Sequence, residues 1–287
     1  MIPAYAQAFT YQIPWKSSSI HAGEHSGSQR GLGFDYRGNV SLLDYPDARR
    51  MDLRQTLRDP YEQVQVKLFN QDNITPIFAV CDLSSSMQFR GRQRKLDQAK
   101  EIAASIALSA FNAGDVFSLI GYNQQVVEEF TLPLSLHVHQ ALELIGELHD
   151  YRKMRVGAEG IMAVHQFLSQ QKGLVFWISD FHMPIAMIEQ ALNGMSVHQV
   201  VPVVLWDDQE YKQLPRFGFG NMIDPETGQN RTIFFRDAVR SQFEAAFIER
   251  KQALDALFSR FDSQPLYLGG EFDPEAMSHY FEQYMSL

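Results

Sequence analysis

The chain has 287 residues, of which 45% are hydrophobic, and a formal net charge of -9. That length allows one large domain or a core domain with elaborations, and the apolar content is ample for a packed core. The acidic balance argues against a general nucleic-acid binder, and the single Cys81 excludes an intrachain disulfide or a cysteine zinc cage.

Residues 1–75 read as an irregular extension with some β-structure. Met1 to Trp15 shows neither a basic leader nor a continuous apolar stretch. No segment approaches the roughly 18 apolar residues of a membrane span. The expectation is a soluble, cytoplasmic chain. Gly23, Gly27, Gly31, Gly33 and Gly38 interrupt the next part, which reads as a flexible or partner-ordered loop. Charges of both signs crowd Asp44 to Asp59, and Tyr61–Phe69 alternates as a strand does.

From Pro76 to Trp206 strands and helices alternate. The predicted strands are Ile77–Cys81, Val116–Tyr122, Val126–Phe130, Leu174–Ser179 and Val197–Leu205. The predicted helices are Lys95–Phe111, about 134–148, about 159–170 and Pro184–Asn193. Such alternation implies an α/β fold with a mainly parallel, doubly wound sheet and helices on both faces. Residues 207–287 form a separate extension. It reads as a β-hairpin around Asp224-Pro225-Glu226-Thr227-Gly228, a long amphipathic helix Asp237–Phe261, a short strand Leu266–Leu268 and a last helix Pro274–Met285. Fourteen acidic against eight basic residues lie there, a solvated surface or a docking face for a basic partner.

The most informative motif is Asp82-Leu83-Ser84-Ser85-Ser86, directly after the apolar strand Ile77–Cys81. In an open α/β sheet the carboxyl ends of the strands are where ligands bind. A carboxylate and two hydroxyls from one loop are hard oxygen donors suited to Mg²⁺ or Mn²⁺. Asp180 ends a second predicted central strand, so both carboxylates belong to one sheet edge. The plain alternative is that both residues only stabilise turns.

These residues resemble the von Willebrand factor A (VWA) domain and its metal-ion-dependent adhesion site. In that family the two serines coordinate the ion and the first aspartate acts largely through water. The resemblance therefore implies metal-site roles for Asp82, Ser84, Ser86 and Asp180. A family threonine has no clean match. Gly157-Ala158-Glu159-Gly160 stands in its place, with Glu159 at the threonine position. A carboxylate there is either a further ligand or a helix-start residue favoured by the helix dipole.

A narrower resemblance covers nearly the whole chain. Gly31-Leu32-Gly33-Phe34-Asp35-Tyr36-Arg37, then Asp47-Ala48-Arg49-Arg50-Met51-Asp52-Leu53-Arg54, then Ser179-Asp180-Phe181 and the Asp224–Gly228 turn follow in order. They resemble the bacterial VWA proteins that accompany MoxR-type AAA+ ATPases, with Leu53 where those carry tryptophan. Tyr11-Gln12-Ile13-Pro14-Trp15-Lys16-Ser17-Ser18-Ser19 is similar to the MxaS-type subgroup of methanol dehydrogenase clusters. The resemblance implies a non-catalytic interaction module working beside such an ATPase. The implied task is maturation or metal loading of a client such as a quinoprotein dehydrogenase. Octahedral Mg²⁺ held by these donors leaves one corner open, and an acidic residue of the partner is the expected ligand there.

Two other readings compete. Asp82, Asp180 and Glu159 around a metal would suit a phosphoesterase. Yet the histidine nearest to them in sequence is His182, two residues past Asp180, and a loop histidine explains it more simply. There is no phosphate-binding Gly-x-x-x-x-Gly-Lys-Ser/Thr loop. The lost threonine also admits a metal-free scaffold.

Overall fold

The computed structural model describes residues 2–13, 15, 22–30, 36–44, 51–61, 63–211, 217–223 and 230–285. Its centre is a six-stranded sheet of β4 (Pro76–Asp82), β5 (Val116–Tyr122), β6 (Val126–Ser135), β7 (Leu174–Ser179), β8 (Gln199–Leu205) and β11 (Leu266–Leu268). The strands lie in the order β11-β8-β7-β4-β5-β6, all parallel except β6, which returns antiparallel beside β5. Counted from β4 as the first strand, this is the doubly wound order 3-2-1-4-5-6. The chain leaves β4 toward β5 on one side and reaches β7 on the other. The topological switch point therefore lies between β4 and β7.

Apolar runs make β4, β5, β7 and β8 because both of their faces are buried. Ile77, Ala79 and Cys81 face one core, with Leu174, Phe176 and Ile178. Phe78 and Val80 face the other, with Val175 and Trp177. The first core is closed by α2 (Lys95–Asn112), α3 (Val138–Glu147) and α8 (Pro274–Tyr284). The second is closed by α4 (Ile161–Val164), α5 (Ile185–Gly194) and α7 (Asp237–Ser259). The fold class and architecture expected from the sequence are thus the observed ones.

The flanking stretches contribute to the first core directly. Phe9 and Tyr11 are buried in it, and Ser105 and Ser109 of α2 accept the backbone N–H groups of Gln7 (3.0 Å) and Phe9 (2.9 Å). Strand β11 adds the sixth strand from beyond residue 206.

Several expectations need correction. The stretch before Thr75 is regular in part: β1 (Ala22–Arg30), β2 (Tyr36–Ser41) and β3 (Gln65–Asn73) form an antiparallel sheet in the order β1-β3-β2. Gly23 and Gly27 lie in β1 and Gly38 in β2, so part of the expected loop is strand. Both pairings carry register shifts, a common consequence of glycine in strands. The helix expected from about 134 begins only at Val138, because β6 continues to Ser135. The helix expected over 159–170 is one α-turn, α4, and a 3₁₀ turn, His165–Phe167. Ile161 and Val164 face inward as expected, but Phe167 is 45% exposed.

Asp52 of the charged motif caps α1 (Leu53–Thr56), its Oδ1 accepting the N–H groups of Arg54 and Gln55. Leu53 is 67% exposed, so the departure from tryptophan costs no core packing. Strands β9 (Gly218–Ile223) and β10 (Asn230–Phe235) form the expected hairpin. The Asp224–Gly228 turn, Gly31–Asp35, Asp47–Arg50, Pro14 and Lys16–Ser19 lie outside the described residues. No helix among the described residues is long and apolar enough to cross a membrane.

Candidate functional site

The site occupies the carboxyl ends of β4 and β7, at the switch point. Asp82 is fully buried at the end of β4. Its Oδ1 accepts the Ser84 N–H at 2.8 Å, and its Oδ2 accepts the Ser179 hydroxyl at 2.6 Å. Ser179 Oγ in turn accepts the Phe181 N–H at 2.9 Å, so one hydroxyl joins both strand ends. Below them Trp177 Nε1 donates to the buried Tyr122 hydroxyl at 2.7 Å. This polar floor is satisfied by protein groups, as a buried network must be.

The two motif serines meet. Ser84 Oγ and Ser86 Oγ are 3.1 Å apart. Adjacent ligands of an octahedral Mg²⁺ at 2.0–2.1 Å lie about 2.9 Å apart, so the hydroxyl pair fits one edge of such a shell. Ser85, the middle serine, has a different task. Its N–H donates to Val156 O (3.0 Å) and its hydroxyl accepts the Val156 N–H (2.9 Å). That reciprocal pair fixes the motif loop against the loop before α4. Gly160 opens α4 hard against Gln125, where a Cβ would stand 2.4 Å from a backbone carbon.

Asp180 is buried one residue beyond β7. Its carbonyl accepts Trp206 Nε1–H at 2.7 Å, and Phe181 follows with φ 51°, a left-handed turn that few non-glycine residues adopt. Arg250 of α7 holds this turn by donating to the Phe181 and Met183 carbonyls. Asp180 Oδ2 accepts from Lys95 Nζ at 2.9 Å. Lys95 also pairs with Glu210 of α6 (Asp208–Tyr211), whose helix starts where Asp207 accepts the Arg92 N–H at 2.8 Å.

The two carboxylates titrate in opposite directions. Burial and the charge on Asp180 hold Asp82 above the usual carboxylate range, against the hydrogen bonds of Ser179 and Ser84. Burial also pushes Asp180 upward, but the Lys95 ammonium and His182 outweigh it and hold Asp180 below that range. Burial works against the Lys95 charge, yet Asp180 and Glu210 raise its pKa overall. The Ser86 hydroxyl favours the ionised form of Asp180.

Asp82, Ser84, Ser86 and Asp180 thus converge. Glu159 is exposed and its carboxylate folds back over Gly157. Among the described residues no hydrogen bond or ion pair joins it to the other four. His182 stacks on Trp206, centroid to centroid 6.0 Å, and its Nε2 lies 3.8 Å from Glu210. Asp180, His182 and Glu210 bring their ligand atoms within 4.8 Å of one another, with Lys95 bonded to two of the three.

Sequence reasoning missed Lys95 and Glu210. Lys95 is the first residue of α2, where the helix dipole disfavours a cation, and that was the available signal. Glu210 lies in an unremarkable acidic stretch and gave none.

These features define a doubly wound α/β protein with an oxygen-donor cluster at its switch point. Residues 45–253 match the family described as "Protein of unknown function DUF58", and the chain belongs to that family. An "Uncharacterized protein in moxR 3'region" of Paracoccus denitrificans is 27% identical over 99 residues, 34% of this chain and 94% of that protein. BatB from Bacteroides thetaiotaomicron is 15% identical at a TM-score of 0.44, over 74% of this chain and 98% of that one. Proximal thread matrix protein 1 of the mussel byssus, described with a zinc-occupied MIDAS motif, is 12% identical at a TM-score of 0.39. It is matched over 74% of this chain and 47% of its own.

Proposed function

We propose that this chain is a non-catalytic interaction module that holds a divalent ion and docks an acidic side chain of a partner. The observation that carries this reading is the convergence of Asp82, Ser84, Ser86 and Asp180 at the switch point. Ser84 and Ser86 offer neutral oxygens at the spacing of an octahedral edge, and two buried carboxylates stand behind them. Mg²⁺ or Mn²⁺ is the ion this donor set suits. Such an ion would supply an open position for a carboxylate from another protein.

The surroundings suit an acidic visitor. Arg90, Arg152, Lys153 and Arg155 are exposed on the two loops that Ser85 and Val156 tie together. None of the four pairs with a carboxylate among the described residues. On a chain of net charge -9, that clustering favours capture of an acidic segment.

The partner we propose is a MoxR-type AAA+ ATPase, with the pair acting in the cytoplasm on maturation or metal loading of a client. The support is the relative encoded beside moxR in Paracoccus denitrificans, together with the ordered motifs of the chain. A quinoprotein dehydrogenase client, as in the MxaS-type resemblance, is the finest form of this proposal.

The test is binding of the full chain to a purified MoxR-type ATPase in Mg²⁺ and in EDTA, with Asp82→Ala alongside. Binding lost in EDTA and in the variant is the expected result. Binding that survives both would overturn the metal-bridged reading and favour a metal-free scaffold. One observation already speaks for that second reading: Asp180 has a cationic partner of its own in Lys95.

A further inference from the structure

Lys95 is held in an unusual way for a lysine. Its side chain is 2% exposed, and so is that of Asp180, 2.9 Å away. Glu210, its other partner, is 11% exposed. The ammonium also faces the Phe89 ring, 5.5 Å from the centroid. Two carboxylates and an aromatic face thus surround a cation beside the proposed metal ligands.

A buried carboxylate needs a counter-charge, and Asp180 takes its counter-charge from the protein. Asp82 has none: it is held by a backbone N–H and a hydroxyl. A divalent cation approaching the four donors therefore meets one uncompensated carboxylate and one already neutralised. It also meets the repulsion of the ammonium itself, and in a buried site that repulsion is screened little.

We propose that Lys95 is a resident cation that weakens metal binding at this site, with Glu210 as the carboxylate that keeps the ammonium when Asp180 turns to the ion. The proposal rests on the metal reading above and deepens it. The chain's own lysine competes for Asp180, and Glu210 decides how readily it lets go. Glu210 is fitted for this. It sits on a one-turn helix whose start is anchored by Asp207 to the backbone of Arg92, and a Cβ at Gly91 would collide with that same Asp207 carboxylate. The loop that carries the serines and the turn that carries Glu210 are thereby fastened together.

The same contacts oppose a separate metal centre at Asp180, His182 and Glu210. Their spacing is that of a ligand set, but Lys95 is bonded to two of the three.

The test is a calorimetric Mn²⁺ titration of the full chain, of Lys95→Met, of Glu210→Gln and of Lys153→Met. Lys153 is an exposed cation on the neighbouring loop and serves as the charge control. Lys95→Met should bind Mn²⁺ about ten-fold more tightly or better, and Glu210→Gln more weakly than the parent. Lys153→Met should change affinity less than about three-fold, as a screened surface charge does. Melting temperature in EDTA and in Mn²⁺ provides a second readout, and Lys95→Met should gain far more from the ion than the parent does. Equal or weaker binding by Lys95→Met would overturn the proposal, as would a Lys153→Met effect of the same size. Should Lys95→Met fail to fold even in Mn²⁺, unchanged affinity in Glu210→Gln would overturn it alone. No uptake by any of the four chains would overturn the metal reading itself.

Discussion

Asp82 and Asp180 end neighbouring strands of one sheet, yet the protein treats them as opposites. Asp82 is surrounded by neutral donors and its carboxyl is held above the usual range. Asp180 is one residue beyond its strand, clasped by Lys95, and its carboxyl is held below that range. The difference teaches where the site is strained and where it is satisfied. The β4 side stores an unfavourable buried charge that an added cation would relieve. The β7 side is already balanced by a lysine on α2 and an arginine on α7 that holds the backbone turn.

The largest way to break that contrast is Lys95→Met. It leaves the buried Asp180 and the partly buried Glu210 without their lysine counter-charge, at a cost of about 3–5 kcal/mol. Chemical denaturation in EDTA should show that loss. A loss under about 1 kcal/mol would mean that water, not Lys95, balances Asp180.

Ser179→Ala sharpens the contrast from the other side. It removes the hydroxyl shared by Asp82 and the Phe181 N–H, leaving both less satisfied. A loss of about 1–3 kcal/mol is expected, the cost of a buried group without its partner. The Asp82 carboxyl should rise further, visible by carboxyl-resolved NMR titration.

Asp82→Asn tests the strain itself. The folded-state value of Asp82 lies above its unfolded one. Its contribution to stability is therefore complete below the ordinary carboxylate range near 4 and is lost as pH rises through the raised value. In EDTA the asparagine variant should lack that loss. Its melting temperature at pH 7 should match or exceed the parent by a few degrees, on the order of 1 kcal/mol. A steeper fall between pH 4 and 7 in the variant would contradict the account. Mn²⁺ should stabilise the parent and not the variant.

The smallest expected effect is His182→Ala. His182 is about one-third exposed and stands 3.8 Å from Glu210. A change within about 1 kcal/mol is expected from so open a contact. A much larger loss would mean that the imidazole, through its stacking on Trp206 or its place beside Asp180, carries more of this side than Lys95 does.

Much of this was legible in the residues because burial on both faces leaves continuous apolar runs. Ile77–Cys81 and Leu174–Ser179 announced two central strands, and the parallel arrangement then placed Asp82 and Asp180 on one edge. Of the antiparallel sheet before Thr75 only β3 was legible, in the alternation of Tyr61–Phe69. Glycine and serine in Ala22–Arg30 give no alternation, and the register shifts within it blur what pattern remains. The turn at α4 misled for a related reason: Ile161 and Val164 carry helical spacing, but the helix stops before Phe167. Lys95 was hidden by habit, since a lysine at a helix start reads as solvated. Only tertiary structure shows that it points at carboxylates from two distant segments, 85 and 115 residues away in sequence. Glu159 shows the reverse: its place in the motif pattern suggested a ligand, and the structure turns its carboxylate onto Gly157.

The most direct test of the central claim is a calorimetric Mn²⁺ titration of the parent chain beside Asp82→Ala. The account predicts saturable binding with one ion per chain, lost in the variant. Binding that is absent from the parent, or equal in the two, would contradict a metal site at the ends of β4 and β7.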